Sequence, residues 1–408
     1  MRLALLKGNR FNAWHLELYR HLRGDPDVVM FRAESEIQRY LDEQDGGAPP
    51  FAEERIYFDT QCGNPATRLM NVLRARYAGR EARIVPFHER LQAYDIIHTW
   101  ELFTDWSAEA AVARQRYGIP LAVMVWDNIP FNMEHPGYRR EIKRRVIAAA
   151  DCFLVHTDRS LRTLAVEGVP TNRIHKFPPG IDTGLFCPGQ ASRGAFGVSD
   201  EEFVILFVGW LLPRKGIDFL LLALRELLSD SALATHKLRL LMAGSGPGKD
   251  RVEQLIARLG LKDACTFLGS VPYDRMPEVY RCADAFVLPS IATPEWQEQF
   301  GMAIIEAMSC GVPVVTTYSG AIPEIVGHAA VLCQPNDFLS IYAALKDLIQ
   351  EPSRRADLAA AGRARAMGCF DVRRAAQTLS DIYDSLLGKR NESQLDAEDA
   401  EIRPQHPG

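Results

Sequence analysis

A chain of 408 residues is too long for one ordinary hydrophobic core and predicts two domains. Its 47% hydrophobic and 24% charged residues are typical of a soluble globular protein, and the net charge of −5 excludes a general attraction to nucleic acid. The eight cysteines form no C-x-x-C pair, and no apolar run is long enough for a signal peptide or a membrane span, which predicts a cytoplasmic protein without structural zinc.

Short apolar runs alternate with amphipathic stretches along the chain, which predicts doubly wound parallel α/β domains. The apolar runs of the first half predict strands at residues 3–6, 28–31, 55–58, 83–87, 95–98, 121–125, 152–156 and 174–177. The stretches between them predict helices at residues 12–23, 65–77, 108–117 and 138–150. A loop rich in proline, glycine and cysteine follows, so we end the first domain at residue 187 and begin the second at residue 195.

Two segments have the general form of a dinucleotide-binding fingerprint but lack its glycines. The first predicted strand is followed by Lys7-Gly8-Asn9-Arg10, with one glycine where the fingerprint needs three. The second segment, residues 238–248, has Lys249 in the place of the third glycine. Both argue against a nicotinamide cofactor and against an oxidoreductase.

The strand at residues 121–125 is followed by Trp126 and Asp127. A carboxylate at the C-terminal end of a parallel strand can orient a sugar hydroxyl or another acceptor group. Asp127 can equally begin an Asx turn with Asn128. The sequence favours neither interpretation.

The predicted helix at residues 138–150 carries the basic run Y-R-R-E-I-K-R-R-V, from Tyr138 to Val146, in which five cations surround one acid. Such a run is most often a solvated helix face. The alternative is docking on an anionic membrane surface, where each basic residue adds about 1 kcal/mol. The cations concerned are Arg139, Arg140, Lys143, Arg144 and Arg145.

The second domain is predicted to begin with a buried strand at residues 203–211, followed by Pro213-Arg214-Lys215-Gly216 and a helix at residues 217–228. Two cations directly after a strand are well placed for a diphosphate, since charge-assisted hydrogen bonds contribute roughly 1.5 to 3 kcal/mol each. Arg214 and Lys215 are therefore candidate binding residues, although a surface lysine is the commoner case.

The stretch from Pro289 to Glu324 predicts a loop, a helix at residues 302–308 and a strand at residues 313–317. Backbone N–H groups at the helix start, near Met302 and Ala303, favour an anionic group such as a phosphate. Glu306 lies roughly 6 Å further along the helix. Its carboxylate can accept hydrogen bonds from hydroxyls of a sugar next to the phosphate.

Glu298 faces the same space from the preceding loop. Taken singly, Glu298 is an acid favoured by a helix N-terminus and Glu306 a solvated helix residue. The surrounding letters at residues 298–315, E-Q-F-G-M-A-I-I-E-A-M-S-C-G-V-P-V-V, closely resemble the donor-site signature of the family 4, group 1 retaining glycosyltransferases. The resemblance extends over nearly the whole chain and is closest over residues 204–332.

This resemblance implies the α/β fold called GT-B, in which two Rossmann-like, doubly wound domains face each other across a cleft. Residues 1–187 would form the acceptor-side domain and residues 195–370 the nucleotide-sugar donor domain. A C-terminal helix at residues 371–388 would return to the first domain. Residues 389–408 are polar and without periodicity, which predicts a disordered tail.

The resemblance also implies a reaction. A hexose would pass from a UDP- or GDP-linked donor to a glycan, a lipid-linked or a small-molecule acceptor, with retained anomeric configuration and without a metal or other cofactor. Lipid-linked acceptors are common in the family, so contact with the inner face of an anionic membrane is a further expectation.

Site residues follow from the motifs. Lys215 falls on a family lysine that neutralises the leaving diphosphate, whereas Trp210 stands where the family has an arginine, so Arg214 is expected to supply that charge. Trp126 stands where many members have a histidine, and no catalytic histidine is predicted. The implied catalytic residues are Glu298, Lys215 and Asp127, and the implied donor-binding residues are Arg214, Lys215, Glu298, Phe300, Gly301, Met302, Ala303, Glu306, Ser270 and Val271.

Two other functions remain open at this point. A non-catalytic subunit that binds a nucleotide sugar or a glycan would keep the donor contacts, and Trp126 and Trp210 at usually polar positions favour it. A nucleotide-sugar epimerase of the same fold is the second, although its histidine and paired acids are not evident.

Overall fold

The computed structural model describes residues 1–8, 13–33, 50–63, 65–77 and 81–402. The chain forms two compact units. Unit 1 comprises Met1–His156, Leu164–Phe177 and Arg373–Gly408, and unit 2 comprises Thr157–Thr163 and Pro178–Val372.

The predicted parallel α/β architecture is confirmed in unit 1. Its strands are β1 (Arg2–Gly8), β2 (Asp27–Ala33), β3 (Ala52–Ile56), β4 (Ile96–Trp100), β5 (Leu121–Val125), β6 (Cys152–Val155) and β7 (Ile174–Lys176). Within the described residues they form one seven-stranded parallel sheet, in the order β3-β2-β1-β4-β5-β6-β7. The central strands are apolar along their whole length and fully buried, as expected where helices cover both faces of a sheet.

The helices up to residue 166 are α1 (Ala13–Arg20), α2 (Pro65–Tyr77), α3 (Asp105–Tyr117), α4 (Tyr138–Ala149) and α5 (Asp158–Val166). Helix α3 shows how the local sequence sets the ends. The Thr104 side chain accepts a hydrogen bond from the Ser107 N–H at the start, and Gly118, with φ of 68°, ends the helix in the left-handed conformation.

The strand predicted at residues 83–87 is wrong. In this segment only Ile84 forms an isolated bridge, with Phe58. Two backbone N–H groups bind carboxylates of α3 instead: Ile84 N donates to Asp105 and Phe87 N to Glu109, at 2.9 and 2.8 Å, and only Val85 N donates to a neighbouring backbone, at Tyr57 O. Side chains thus satisfy donors that an apolar run would otherwise offer to a neighbouring strand.

Unit 2 repeats the architecture. Its strands are β8 (Glu202–Val208), β9 (Lys237–Ala243), β10 (Cys265–Gly269), β11 (Ala285–Leu288), β12 (Val314–Thr317) and β13 (Val331–Cys333). In the described part of unit 2 they form a six-stranded parallel sheet, in the order β10-β9-β8-β11-β12-β13. The helices from residue 217 onward are α6 (Ile217–Ser229), α7 (Lys249–Leu259), α8 (Met276–Arg281), α9 (Met302–Ser309), α10 (Ile322–Val326), α11 (Phe338–Gln350), α12 (Pro352–Cys369) and α13 (Val372–Ile402).

The chain passes into unit 2 at Pro178, ahead of the loop where the sequence places the domain boundary. The reason is a pair of backbone hydrogen bonds. Ile181 N donates to Phe370 O, and Val372 N donates to Ile181 O, both at 2.9 Å. These bonds join residues 178–187 to the end of α12.

Helix α13 continues to Ile402, whereas the sequence predicts a helix that ends at residue 388 and a disordered tail after it. Glutamate, glutamine, alanine and leucine dominate residues 392–401 and are good helix formers, so a helix already nucleated on unit 1 can propagate through them. Residues 403–408 lie outside the described residues.

Each sheet contains a point where the strand order reverses. β1 lies between β2 and β4, and β8 lies between β9 and β11. Open α/β sheets bind ligands beyond the C-terminal ends of the strands that flank such a switch point. The residues that follow β1 and β4, and those that follow β8 and β11, are therefore the places where a ligand is expected in each unit.

Candidate functional site

The turn after β8 brings Lys215 to the switch point of unit 2. Pro213–Lys215 form a short 3-10 turn, and Gly216 leads from it into α6 with φ of 71°. A side chain at Gly216 would place its Cβ 1.9 Å from the carbonyl oxygen of Pro289, which follows β11. Glycine here allows the turn after β8 to approach the chain after β11 closely.

Lys215 and Glu298 form an ion pair at this point. The Lys215 Nζ lies 3.1 and 2.8 Å from the two carboxylate oxygens of Glu298. Ser290, directly after β11, donates a further hydrogen bond of 2.6 Å to Glu298 Oε2. The Glu298 side chain is 7% exposed and that of Lys215 18%, so the charges interact with little solvent between them.

The loop that carries Glu298 is held from its other side by residues after β12. Ala321 N donates to Glu298 O at 2.9 Å. A Cβ on Gly320 would lie 2.0 Å from the same oxygen, and φ at this glycine is 55°. The Glu298 main chain is therefore fixed by backbone packing that tolerates no side chain at residue 320.

Helix α9 begins next to this loop. Gly301 precedes it with φ of 89°, and Ile304 N donates to Gly301 O at 2.9 Å. Within the described residues no acceptor is found for the Met302 and Ala303 N–H groups, and both residues are partly exposed. Phe300 is 1% exposed, and its ring packs against that of Phe370, so it anchors the start of α9.

Glu306 is buried, which excludes the interpretation as a solvated helix residue. It is 6% exposed, and Tyr280 donates a hydrogen bond of 2.7 Å to its Oε2. Burial raises the pKa of Glu306 to about 7, while the Tyr280 hydrogen bond lowers it. Near neutral pH this carboxyl can both donate and accept hydrogen bonds.

Arg214 and Lys215 share an aromatic neighbour that the sequence did not single out. The Trp296 ring lies 4.6 Å from the Arg214 guanidinium carbon and 5.1 Å from Lys215 Nζ, in cation–π geometry. Arg214 itself is exposed. Trp210, at the position of the family arginine, is 43% exposed.

Ser270 and Val271 follow β10 at the edge of the sheet. Both line an open cavity of about 390 Å³ together with the apolar residues Phe196, Phe267 and Pro272. A flat aromatic ring fits such a lining, and the main chain of Ser270 and Val271 can supply hydrogen bonds.

Asp127 belongs to unit 1 and forms the Asx turn that the sequence left open. Its Oδ1 accepts hydrogen bonds from Ile129 N at 3.2 Å and from Asn132 Nδ2 at 3.1 Å. The residue is 8% exposed, and burial raises its pKa. The turn does not exclude a binding role, because Asp127 lies just after β5 and near another acid, the half-buried Glu101.

Glu101 is a further candidate that was not predicted from the sequence. It directly follows β4, and its carboxylate accepts a hydrogen bond of 3.1 Å from Trp126 N. Burial, followed by the charge of Asp127, raises its pKa well above the ordinary value. A lone glutamate after an apolar strand gives no periodic signal that could have identified it.

Comparison with known proteins identifies the family. The model of group 1 glycosyl transferases matches residues 190–365, and that of glycosyltransferase family 4 matches residues 44–185. A D-inositol 3-phosphate glycosyltransferase of Acidothermus cellulolyticus is 31% identical over 319 residues, which cover 73% of this chain and 68% of that protein. The chain belongs to the family 4, group 1 glycosyltransferases. A relative of the same description from Geodermatophilus obscurus is 31% identical over 326 residues, covering 74% and 68% of the two chains.

Solved structures confirm the GT-B fold of this glycosyltransferase. HepE from Anabaena, solved in complex with UDP, matches with a TM-score of 0.73 and 21% identity over 94% of this chain and 100% of HepE. Sucrose-phosphate synthase from Thermosynechococcus elongatus matches with a TM-score of 0.71 and 20% identity over 95% and 100% of the chains. The comparisons do not favour a non-catalytic subunit or an epimerase.

The basic run on α4 of this glycosyltransferase is largely paired with acids. Arg139 binds Glu81 and Arg140 binds Glu134, each at 2.7 Å. Lys143 is buried and lies 2.7 Å from Glu167. The exposed remainder of the run is the pair that follows, Arg144 and Arg145.

The residues that the structure describes contain neither a metal-ligand cluster nor a membrane-spanning helix. No group of three or more histidine, cysteine, aspartate or glutamate side chains there is arranged to hold a metal ion. In the same residues no helix is both long and apolar enough to cross a bilayer.

Proposed function

We propose that this glycosyltransferase moves a hexose from a UDP- or GDP-linked donor to a hydroxyl of its acceptor, with retained anomeric configuration and without a metal. The acceptor is a glycan, a lipid-linked sugar or a small molecule. One observation carries the proposal: a cation, an acid and a helix N-terminus converge at the switch point of unit 2, as Lys215, Glu298 and the start of α9.

The cationic groups have one chemical task, which is to stabilise the diphosphate that leaves. Lys215 Nζ and the N–H groups of Met302 and Ala303 supply charge and hydrogen bonds for it, and Arg214 adds a second cation next to Lys215. Preorganised donors of this kind contribute about 3 kcal/mol each to transition-state stabilisation.

The two glutamates hold the hydroxyl groups of the donor. Glu298 accepts hydrogen bonds from the transferred sugar, and Glu306, four residues further along α9 than Met302, binds the ribose. Lys215 Nζ contacts both carboxylate oxygens of Glu298. When the donor binds, Lys215 therefore exchanges a hydrogen bond to Glu298 for one to the diphosphate. Until then, the ion pair keeps both side chains from being buried as unpaired charges.

Similar proteins support the donor class. HepE from Anabaena was also solved in complex with UDP-glucose, and relatives of this chain act on D-inositol 3-phosphate by their description. The nucleotide base is assigned to the cavity beside Ser270 and Val271. The family resemblance supports retention, since a leaving diphosphate on the face of attack needs no protein nucleophile.

Calorimetry with the full chain in EDTA tests the donor assignment. UDP-glucose, UDP-galactose, GDP-mannose and ADP-glucose are titrated in turn, and at least one is expected to bind without a metal. NMR of the product of any transfer reaction then gives the anomeric configuration. The absence of heat with all four donors would remove the proposed function, and an inverted product would remove retention alone.

We also propose peripheral contact with an anionic membrane from the cytoplasmic side, through Arg144 and Arg145 of α4. Each exposed cation near such a surface contributes about 1 kcal/mol. Co-sedimentation with vesicles of phosphatidylglycerol and phosphatidylcholine should fall when both residues become glutamate. The matched control is Arg139→Glu with Arg140→Glu, which alters cations already paired with acids; an equal loss in both double variants would contradict a specific role for Arg144 and Arg145.

A further inference from the structure

Glu101 stands at the switch point of unit 1, where no ligand has yet been assigned. Lys7 lies near the end of β1, and Glu101 follows β4, the strand on the other side of the reversal. Asp127 follows β5, the next strand of the sheet. Three charged side chains thus come from three adjacent strand ends, at the edge where an α/β sheet binds ligands.

The backbone of Glu101 is held in a conformation that side chains rarely adopt. Its φ is 64°, in the left-handed region, although the residue is not glycine. Glu101 N donates to Met124 O at 2.8 Å, and Glu101 O accepts from Ser107 Oγ at 2.6 Å. Both main-chain groups are therefore fixed, and strain of this kind is concentrated at functional sites.

The two carboxylate oxygens of Glu101 have different surroundings. One accepts the hydrogen bond from Trp126 N. The other, Oε2, is shielded from solvent and has no hydrogen-bond partner among the residues that the structure describes. A buried carboxylate oxygen without a donor is costly, so its retention indicates a partner that comes from outside the fold.

The neighbours of Glu101 indicate the chemical class of that partner. Asp127 supplies a second buried carboxyl, and the Trp126 ring packs edge-to-face against His156 at 4.3 Å and His15 at 6.3 Å. Lys7 Nζ lies 5.3 Å from the centre of the Trp100 ring. Carboxyl groups that accept from hydroxyls, beside aromatic rings that pack against C–H groups, suit a polyhydroxylated ring.

Burial raises the pKa of both acids, and the charge of Asp127 raises the pKa of Glu101 further. A carboxyl group whose pKa is raised in this way can donate one hydrogen bond when it is protonated and accept others. Hydroxyl groups, which do both, match this arrangement better than an anion, which would be repelled by the second carboxylate.

We propose that Glu101, together with Asp127, binds a hydroxyl group of the sugar or polyol acceptor in unit 1. The role of that ligand as acceptor rests on the proposed glycosyltransfer, whereas the binding itself does not. Glu101 acts as a specificity-determining residue: it recognises a hydroxyl at one position of the ring and leaves donor binding to unit 2.

The test measures ligand binding to the full chain by saturation-transfer NMR without a donor. The probes are D-myo-inositol 3-phosphate, myo-inositol and the methyl glycosides of glucose, mannose and galactose. Wild type is compared with Glu101→Gln, Asp127→Asn and the control Glu141→Gln, which changes an exposed glutamate of α4. UDP affinity and melting temperature are measured for each variant.

We expect at least one probe to bind wild type and the control equally and to bind Glu101→Gln roughly tenfold more weakly, because the amide keeps only one of the two oxygens that the carboxyl group offers to hydroxyl groups. UDP affinity should stay unchanged, and the melting temperature should not fall, because glutamine removes a buried ionisable group. A purely structural role would lower the melting temperature instead.

Equal binding of every probe to wild type and Glu101→Gln overturns the proposal, as does a wild type that binds none of the probes. If wild type binds a probe through Glu101 but binds no nucleotide sugar, the proposed glycosyltransfer fails while the site in unit 1 stands. The two failures are therefore distinguishable.

Discussion

The switch points of unit 1 and unit 2 each contain a lysine and a glutamate, but the two glutamates differ in their hydrogen-bond partners. In unit 2, Lys215 follows the first strand and Glu298 the next strand across the reversal, and the two form a 2.8 Å ion pair. In unit 1, Lys7 and Glu101 occupy the corresponding places. Each lysine also lies over a tryptophan ring, Lys215 over Trp296 at 5.1 Å and Lys7 over Trp100 at 5.3 Å.

The difference lies in how each glutamate is satisfied. Glu298 receives hydrogen bonds from Lys215 and Ser290, so the protein supplies partners that a ligand can later replace. Glu101 keeps one buried oxygen without a partner in the described residues and has a strained backbone. One topology therefore supports a site that is complete before the ligand arrives and a site that the ligand has to complete.

Gly320→Ala is expected to have the largest effect, because it disrupts the backbone packing between residue 320 and the Glu298 loop of unit 2. The new Cβ would lie 2.0 Å from Glu298 O at a φ of 55°. We expect a loss of about 3 kcal/mol or more in the free energy of unfolding, measured with urea. The control is Gly24→Ala in unit 1, where φ is 78° and the space is open, so only the backbone term of about 1 to 2 kcal/mol remains. Equal losses would show that residue 320 does not hold the Glu298 loop.

Glu306→Gln is expected to change the pH dependence of stability. The pKa of Glu306 is raised from 4.5 to about 7 in the fold, so its stabilising effect is complete below pH 4.5 and is lost as the pH rises towards 7. At roughly 1.4 kcal/mol per pH unit the loss amounts to about 3 kcal/mol. Glutamine does not titrate, so the variant should lose less stability than wild type between pH 4.5 and 7.

Tyr280→Phe is the matched control for this prediction. The Tyr280 hydroxyl donates to Glu306 and favours the charged carboxylate, so its removal should extend the loss of stability to a higher pH. Identical pH profiles for wild type and Glu306→Gln would exclude the raised pKa.

The sequence predicted the sheets well because parallel strands buried on both faces are continuous apolar runs. The strand at residues 121–125 has the same bounds as β5, and the strand predicted at residues 313–317 differs by one residue from β12. The strand prediction was wrong where side chains accept hydrogen bonds from the backbone. At residues 83–87, Asp105 and Glu109 accept from the N–H groups of Ile84 and Phe87. No periodic pattern encodes such a substitution.

The candidate sites were predictable to the extent that they lie in a dense motif. The spacing of Glu298 and Glu306 suggested a shared ligand. The ion pair between Glu298 and Lys215 was not predicted, and it forms because the chains after β8 and β11 meet at the switch point. The burial of Glu306 depends on Tyr280, 26 residues away in the chain. Glu101 was missed because its left-handed backbone is usually signalled by glycine or asparagine, and a glutamate gives no such signal.

Lys215→Ala and Glu298→Ala should each lower the rate of sugar transfer at least tenfold, because each removes one member of the Lys215–Glu298 ion pair. A tenfold loss corresponds to about 1.4 kcal/mol of activation free energy. Transfer and donor affinity are measured with the donor found by calorimetry. Lys237→Ala is the control, since Lys237 is an exposed lysine of unit 2 paired with Glu201 on the surface, where an ion pair contributes at most about 1 kcal/mol. Near-normal rates in both site variants would remove the assigned donor site.

Trp296→Leu is expected to have the smallest effect. It keeps the charges of Arg214 and Lys215 but removes the ring that orients them. A short turn holds Trp296 in place, since Trp296 N donates to Thr293 Oγ1 at 3.0 Å. The ring can then keep the Arg214 and Lys215 charges side by side.

Loss of the ring should weaken UDP binding about two- to fivefold, because an exposed cation–π contact contributes roughly 0.5 to 1 kcal/mol. Trp296→Phe keeps an aromatic face and should restore most of the affinity. Trp100→Leu, beside Lys7, should leave UDP affinity unchanged if the two switch points bind different ligands. A loss of UDP binding with Trp100→Leu as large as that with Trp296→Leu would contradict this division.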